Sequence, residues 1–239
     1  MGGTRLPGEA ELLQALPALN AIDPGEPTKM PLEARMYGIF AAFFSTWLLA
    51  LVMGRGRAAA MPPPWLLVTF VAFVAVMGFD GANATLYDLN MAGLPIPYLY
   101  APRLDARLAS GILSGTGMAG IMLPIVNYAL WRNATPQRVF QSAADLATLL
   151  IWNAILFVVV VSGSGLFFYP ASFLGVLGVI ALLAIINLVM LLSALNRNGV
   201  ATRWRETLNP FAAALLISML ELGALSLVRY AILGTAVLP

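Results

Sequence analysis

FLGVLGVIALLAIINLVMLLSAL, residues 173–195, runs for 23 positions without a charged side chain. As a helix rising about 1.5 Å per residue it is roughly 34 Å long, enough to cross the ~30 Å hydrocarbon core of a bilayer. Asn196-Arg197-Asn198-Gly199 then stops it with polar residues. Five more apolar runs flank it. Residues 36–53 are ended by Arg55 and Arg57, and Pro62-Pro63-Pro64 separates them from 65–79, which Asp80-Gly81 ends. A polar, proline-rich stretch leads to 108–131, ended by Arg132. The fourth run, 146–168, has Asp145 at its entry, with Ser162-Gly163-Ser164-Gly165 and Pro170 marking a tight turn into 173–195. The sixth, 211–238, is interrupted by Glu221 and Arg229. The expected fold is all-α: a polytopic transmembrane bundle of about six spans.

Composition agrees. Of 239 residues, 60% are hydrophobic and 10% charged, with a mean hydropathy of +0.86. A soluble domain carries about 25% charged residues. There is no cysteine and no histidine. That excludes disulfides, thiolate nucleophiles, His- or Cys-ligated metals and imidazole relays. The remaining carboxylates, arginines, hydroxyls and amides suit packing, ion contacts or proton carriage, so no enzyme, metal or catalytic residue is expected.

Loop charges set the orientation. The loops after spans one, three and five hold Arg55, Arg57, Arg132, Arg138, Arg197, Arg203 and Arg205. The loop after span two holds Arg103 and Arg107, and the next turn holds none. The odd loops are therefore expected in the cytoplasm and both termini outside, in a bacterial inner (cytoplasmic) membrane. Residues 1–34 read as an extramembrane tail with a short amphipathic helix near 9–16, and 35–239 as one transmembrane domain. Glu11, Gln14 and Pro17 break the one stretch that could serve as a signal peptide.

Several side chains at membrane depth need partners. Glu221 lies ten residues into the sixth run and is costly if ionised against lipid. Arg229 is eight residues further, roughly 12 Å along the axis and about 80° round it, so each needs its own partner. Glu221 reads either as a structural carboxyl bonded to an Asn or Arg of another span, or as an ion or proton site. Arg35, Asp80, Arg103, Asp105 and Arg107 gather at the outer ends of spans one to three. They read as ion pairs tying helix ends together or as a charged entrance. Ser110, Gly111, Ser114 and Gly115 give span three a small-xxx-small face for close helix contact, in this chain or another. Asn127, Asn153 and Asn187 read as interhelical hydrogen-bonding amides. Arg203-Trp204-Arg205 reads as a solvated loop or a contact with anionic lipid heads.

The stretch Pro31-Leu32-Glu33-Ala34-Arg35-Met36-Tyr37-Gly38-Ile39-Phe40 resembles the signature Pro-x-Cys-Ala-Arg-Cys-x-Gly-Ile-Tyr of an uncharacterised family of small predicted membrane proteins. That family follows it with Asp-Gly after the second span and Arg-x-x-Thr-Gly-x-x-x-Gly opening the third. Here these stand as Asp80-Gly81 and Arg107-Leu108-Ala109-Ser110-Gly111-Ile112-Leu113-Ser114-Gly115. The resemblance covers roughly residues 15–130 and leaves out spans four to six. The signature's cysteines fall at Glu33 and Met36, and the family's upstream Cys-His pair has no counterpart. The resemblance implies a scaffold kept without its reactive groups, and no activity comes with it.

The expectation is a non-catalytic accessory or structural subunit of a larger membrane complex, respiratory or photosynthetic, with membrane lipids and other integral membrane subunits as partners. The alternative is a small-solute or ion transporter or channel using Glu221 and Arg229. For an intramembrane lipid enzyme only Asp80, Asp105 and Glu221 would serve, and no paired-carboxylate or metal spacing supports it. No cofactor is expected, although apolar grooves leave room for a bound lipid, quinone or carotenoid. Nucleic acid is excluded as a partner because the net charge is +2 and the basic residues are scattered.

Overall fold

The computed structural model describes residues 32–233. The expected tail helix near 9–16 and the end of the sixth run lie outside them. Among the described residues, six helices are long and apolar enough to cross a membrane. They are α1 (Ala34–Val52), α2 (Pro64–Met91), α3 (Leu104–Leu130), α4 (Ala143–Val161), α5 (Gly165–Ala194) and α6 (Leu208–Leu233), the last preceded by a 3-10 turn at Trp204–Thr207. Two short strands, β1 (Ala58–Ala60) and β2 (Thr135–Arg138), pair in parallel at one end of the bundle.

The sequence signals at helix ends work locally. Ser142 and Asp145 form a capping box at the start of α4, each satisfying the other's backbone N–H. At the end of α5, Asn196 takes a left-handed φ of 51°. The Arg197 N–H then bonds the Leu192 carbonyl at 2.9 Å and the Asn196 N–H bonds Ser193 at 3.1 Å, a Schellman closure.

Two expected boundaries move. Asp80-Gly81 does not end the second span: α2 continues eleven residues beyond Asp80, to Met91. It stops at Gly93, whose φ of 94° closes the same motif. Asp80 is tolerated inside the helix because its carboxylate is fully engaged by neighbouring elements. Nor does Pro170 mark the turn into the fifth span. α4 ends at Val161 and α5 begins at Gly165, with Pro170 inside its second turn. There the ring forfeits a single intrahelical bond, which membrane helices tolerate.

α1 packs most extensively on α3, α2 on the other side of α3, α5 on α1, and α6 on α5. Phe43, Leu66, Phe70, Leu123, Phe140 and Leu149 fill the centre without measurable exposure or nearly so. The small-residue face expected on α3 meets helices of this same chain. Gly111 lies against the Arg35 carbonyl and Gly115 against the Ile39 carbonyl, both on α1, while Gly117 faces the Phe70 backbone on α2. Gly178 of α5 lies likewise against the Phe40 carbonyl. Since lipid tails are as apolar as leucine, this backbone proximity and interhelical hydrogen bonds hold the bundle, rather than a hydrophobic drive. The outer surface is apolar, with Val68, Ile151, Ile155, Val158 and Leu220 all exposed.

Candidate functional site

At the end holding the N-termini of α1 and α3, Arg35 reaches from the first turn of α1 to Asp80 of α2. Its Nη2 donates to Asp80 Oδ2 at 2.7 Å and its Nε to the same oxygen at 3.2 Å. Ser110 Oγ of α3 also donates to Oδ2, at 3.0 Å, and the Tyr100 hydroxyl donates to Oδ1 at 2.6 Å. Asn83, one turn after Asp80 and buried, holds the connecting loop: its Oδ1 accepts from the Leu99 N–H at 2.8 Å and its Nδ2 donates to the Tyr100 carbonyl at 2.9 Å. One carboxylate therefore joins α1, α2, α3 and the α2–α3 loop. Arg107 pairs with Glu33 at 3.1 Å and its Nε is buried without a partner among the described residues. Arg103 pairs with Asp105, two residues on, at the surface. The five residues grouped in the sequence thus divide into a four-element junction, a separate Arg107–Glu33 pair and a local surface pair.

Tyr100 lies outside the spans, and the hydrogen bond it gives the Asp80 carboxylate raises its pKa above the ordinary tyrosine value. A group with a raised folded pKa stabilises fully below its unfolded value, about 10 for tyrosine, and loses that contribution as pH rises through the folded value. Thermal unfolding in detergent between pH 8 and pH 11 should fall with pH, and Tyr100→Phe should flatten that part of the slope. An unchanged slope in the variant would show that the bond contributes nothing.

Halfway along the bundle Asn153 of α4 is a second junction. Its Nδ2 donates to Thr46 Oγ1 and Thr116 Oγ1, each at 3.1 Å, and Ser45 Oγ donates to its Oδ1 at 3.0 Å. α4 otherwise touches its neighbours sparsely, so this amide ties it to α1 and α3. Beside it, a groove of about 350 Å³ between α3 and α4 is apolar apart from Asn153 and Thr116.

At the opposite end, Arg55 pairs with Asp145 at 2.9 Å and donates to the Val139 carbonyl at 2.6 Å. Asn127 donates to the Ala58 carbonyl at 2.7 Å, and Trp131 bridges to Ala201. The composition-based reading missed the Arg55–Asp145 pair. The two residues stand 90 positions apart, and loop arginines and helix-entry acids are common in isolation.

Glu221 lies at the edge of the α5–α6 seam, accepting 2.7 Å from Asn187 Nδ2 of α5, which also donates to Ser218 Oγ at 3.0 Å. Glu221 is exposed, as is every residue of 219–228. Arg229 forms no ion pair with another described residue.

Six apolar helices joined by interhelical ion pairs and amides define a multi-pass membrane protein. Residues 26–121 match the model of a family described as "Predicted membrane protein (DUF2085)", whose function is unknown. No curated protein and no solved structure matches the chain. The matched segment holds α1, α2 and the first two-thirds of α3, and therefore all the helical residues of the Arg35–Asp80–Ser110 junction. Asn153, Asp145 and Glu221 lie beyond it.

Proposed function

We propose that this chain is a non-catalytic integral subunit of a larger membrane assembly, docked through α6. We place it in the bacterial cytoplasmic membrane, with the arginine-rich end inward and both termini outside. A respiratory or photosynthetic complex is the setting proposed. The observation that carries the reading is Glu221. It lies thirteen residues past Leu208, about 20 Å along the helix and so near the bilayer midplane. It is exposed within a stretch of α6 that is apolar apart from Ser226, with one amide donor from α5. A carboxyl facing lipid at that depth is costly. A partner helix that supplies a cation or a hydrogen-bond donor removes that cost and covers residues 219–228. The lack of cysteine and histidine supports a structural role.

The test is mild-detergent extraction followed by a native gel and mass spectrometry. The expected result is co-migration with stoichiometric larger subunits, weakened at least tenfold by Glu221→Leu. Migration alone as a monomer overturns the reading. The second reading, ion or small-solute transport, draws on the Ser218–Asn187–Glu221 cluster as a protonatable site at the α5–α6 seam. It requires that Glu221→Gln abolish flux in proteoliposomes.

A further inference from the structure

The two ends of the bundle differ in charge. The end holding Arg35 carries three arginines against Glu33, Asp80, Asp88 and Asp105. The other end carries Arg55, Arg57, Arg132, Arg138, Arg197, Arg203 and Arg205 against Asp145 and Glu206. Both of those carboxylates are already used. Asp145 pairs with Arg55, and Glu206 Oε2 accepts from the Thr202 and Arg203 backbone N–H groups and the Thr202 hydroxyl. Arg57, Arg132, Arg138, Arg197 and Arg205 pair with no carboxylate among the described residues.

This surplus sits on an ordered platform. β1 and β2 pair, and the Trp131 backbone bridges to Ala201. Buried Trp131 takes the Arg57 guanidinium over its ring at 4.7 Å and the Trp204 ring edge-on at 4.7 Å. A cavity of about 640 Å³ opens beside it, lined by Tyr128, Trp131, Arg132, Thr135, Asn198 and Gly199 among others. Arg132 is held at its rim by its Nε, which donates to the Gly199 carbonyl at 3.2 Å. Its terminal nitrogens bond nothing else among the described residues. Tyr128 and Ile125, four and seven residues earlier on α3, are exposed, which gives an apolar track running from the cavity toward the bilayer core.

We propose that this cavity binds an anionic glycerophospholipid, with its phosphodiester on the Arg132 guanidinium and an acyl chain along Tyr128 and Ile125. A guanidinium anchored at Nε presents two fixed donors to a phosphate. The uncompensated arginines around it favour a lipid with no balancing amine. A fixed cavity and aromatic walls distinguish this from the diffuse attraction of any basic loop to a charged surface.

The test uses the delipidated full chain in a neutral detergent, with phosphatidylglycerol as probe and thermal unfolding as readout. A ligand bound by the folded state raises the unfolding temperature in a saturable, concentration-dependent way. Phosphatidylglycerol is expected to do so and phosphatidylcholine is not. Arg132→Gln should weaken the apparent affinity about tenfold and Arg132→Lys less. Arg103→Gln, the same charge change at the opposite end, should leave it unaltered. An equal response to phosphatidylcholine overturns the proposal, as does equal weakening by Arg103→Gln. Stabilisation by inorganic phosphate to the same extent also overturns it, since the site would then take the free anion rather than the lipid. If Arg132→Gln fails to fold, full binding by Arg132→Lys combined with full binding by Thr135→Leu, which fills the cavity wall, overturns it equally.

Discussion

Gly115→Leu is expected to abolish recovery of a monodisperse folded protein from the membrane. A Cβ at this position would overlap the Ile39 carbonyl oxygen and lie 2.9 Å from the Phe43 nitrogen. Both obstacles are backbone atoms of α1, so no rotamer change relieves the clash. Two neighbouring positions are equally close: Gly111 faces the Arg35 carbonyl, and a Cβ at Gly38 would lie 2.7 Å from the Leu108 oxygen. The α1–α3 contact is thus closed along its length, and one side chain must force the helices apart. Overpacking a core costs about 1–3 kcal/mol. Here separation would also stretch the Arg35–Ser110–Asp80 and Asn153–Thr46–Thr116 bonds, so a loss of about 3 kcal/mol or more is expected. Gly115→Ala should show a smaller loss in thermal unfolding. Gly223→Ala on α6, where nothing lies within 4 Å, should be neutral or slightly stabilising, because alanine favours a helix over glycine. A Gly115→Leu variant as stable as the parent would mean that α1 and α3 do not pack this way.

Asp80→Ala should cost about 3–5 kcal/mol, the range found when one partner of a buried ion pair is removed. The side chains of Arg35 and Asp80 are 17% and 6% exposed, so solvent cannot replace the lost counterion. The same change leaves the Tyr100 hydroxyl without its acceptor, while Ser110 Oγ keeps the Arg107 carbonyl at 3.1 Å. Charge, not shape, is the main issue. The double variant Arg35→Met/Asp80→Leu should therefore recover much of the loss, since apolar replacement of a whole buried pair is often neutral. A thermodynamic cycle of Arg35→Met, Asp80→Leu and the double measures the coupling. Additive losses in that cycle would mean that the pair contributes no mutual stabilisation.

The same residue explains where the linear reading went astray. Asp80-Gly81 looks like the polar end of a span, and judged on hydropathy alone it is one. What keeps α2 helical to Met91 is a guanidinium 45 residues upstream and a hydroxyl 30 residues downstream. Neither is visible within a window of one helix. Pro170 misled in a similar way, because a proline near a helix start removes one bond and need not end the helix. By contrast, the endings at Arg55, Arg132 and Asn196 were legible, since local capping and interfacial charge decide them. Asn153 and Asn187 were recognisable as amides needing partners. Their partners, Ser45, Thr46, Thr116 and Ser218, were not, because isolated hydroxyls in apolar helices are common and often bond their own backbone.

By itself the sequence determined the class of this protein. Successive apolar runs, the longest of them able to cross a bilayer outright, leave no other stable state, because every backbone polar group in lipid must be satisfied within its own helix. It also determined that six such runs exist, and that chemistry using thiols or imidazoles is absent. The tertiary structure decided which polar groups meet: a carboxylate joining four elements, an amide tying down a loosely packed helix, and an arginine surplus gathered around one cavity. These depend on helices brought together across 30 to more than 100 residues of chain. Backbone approach at Gly38, Gly111, Gly115 and Gly178 sets those meetings, and hydropathy carries no record of them.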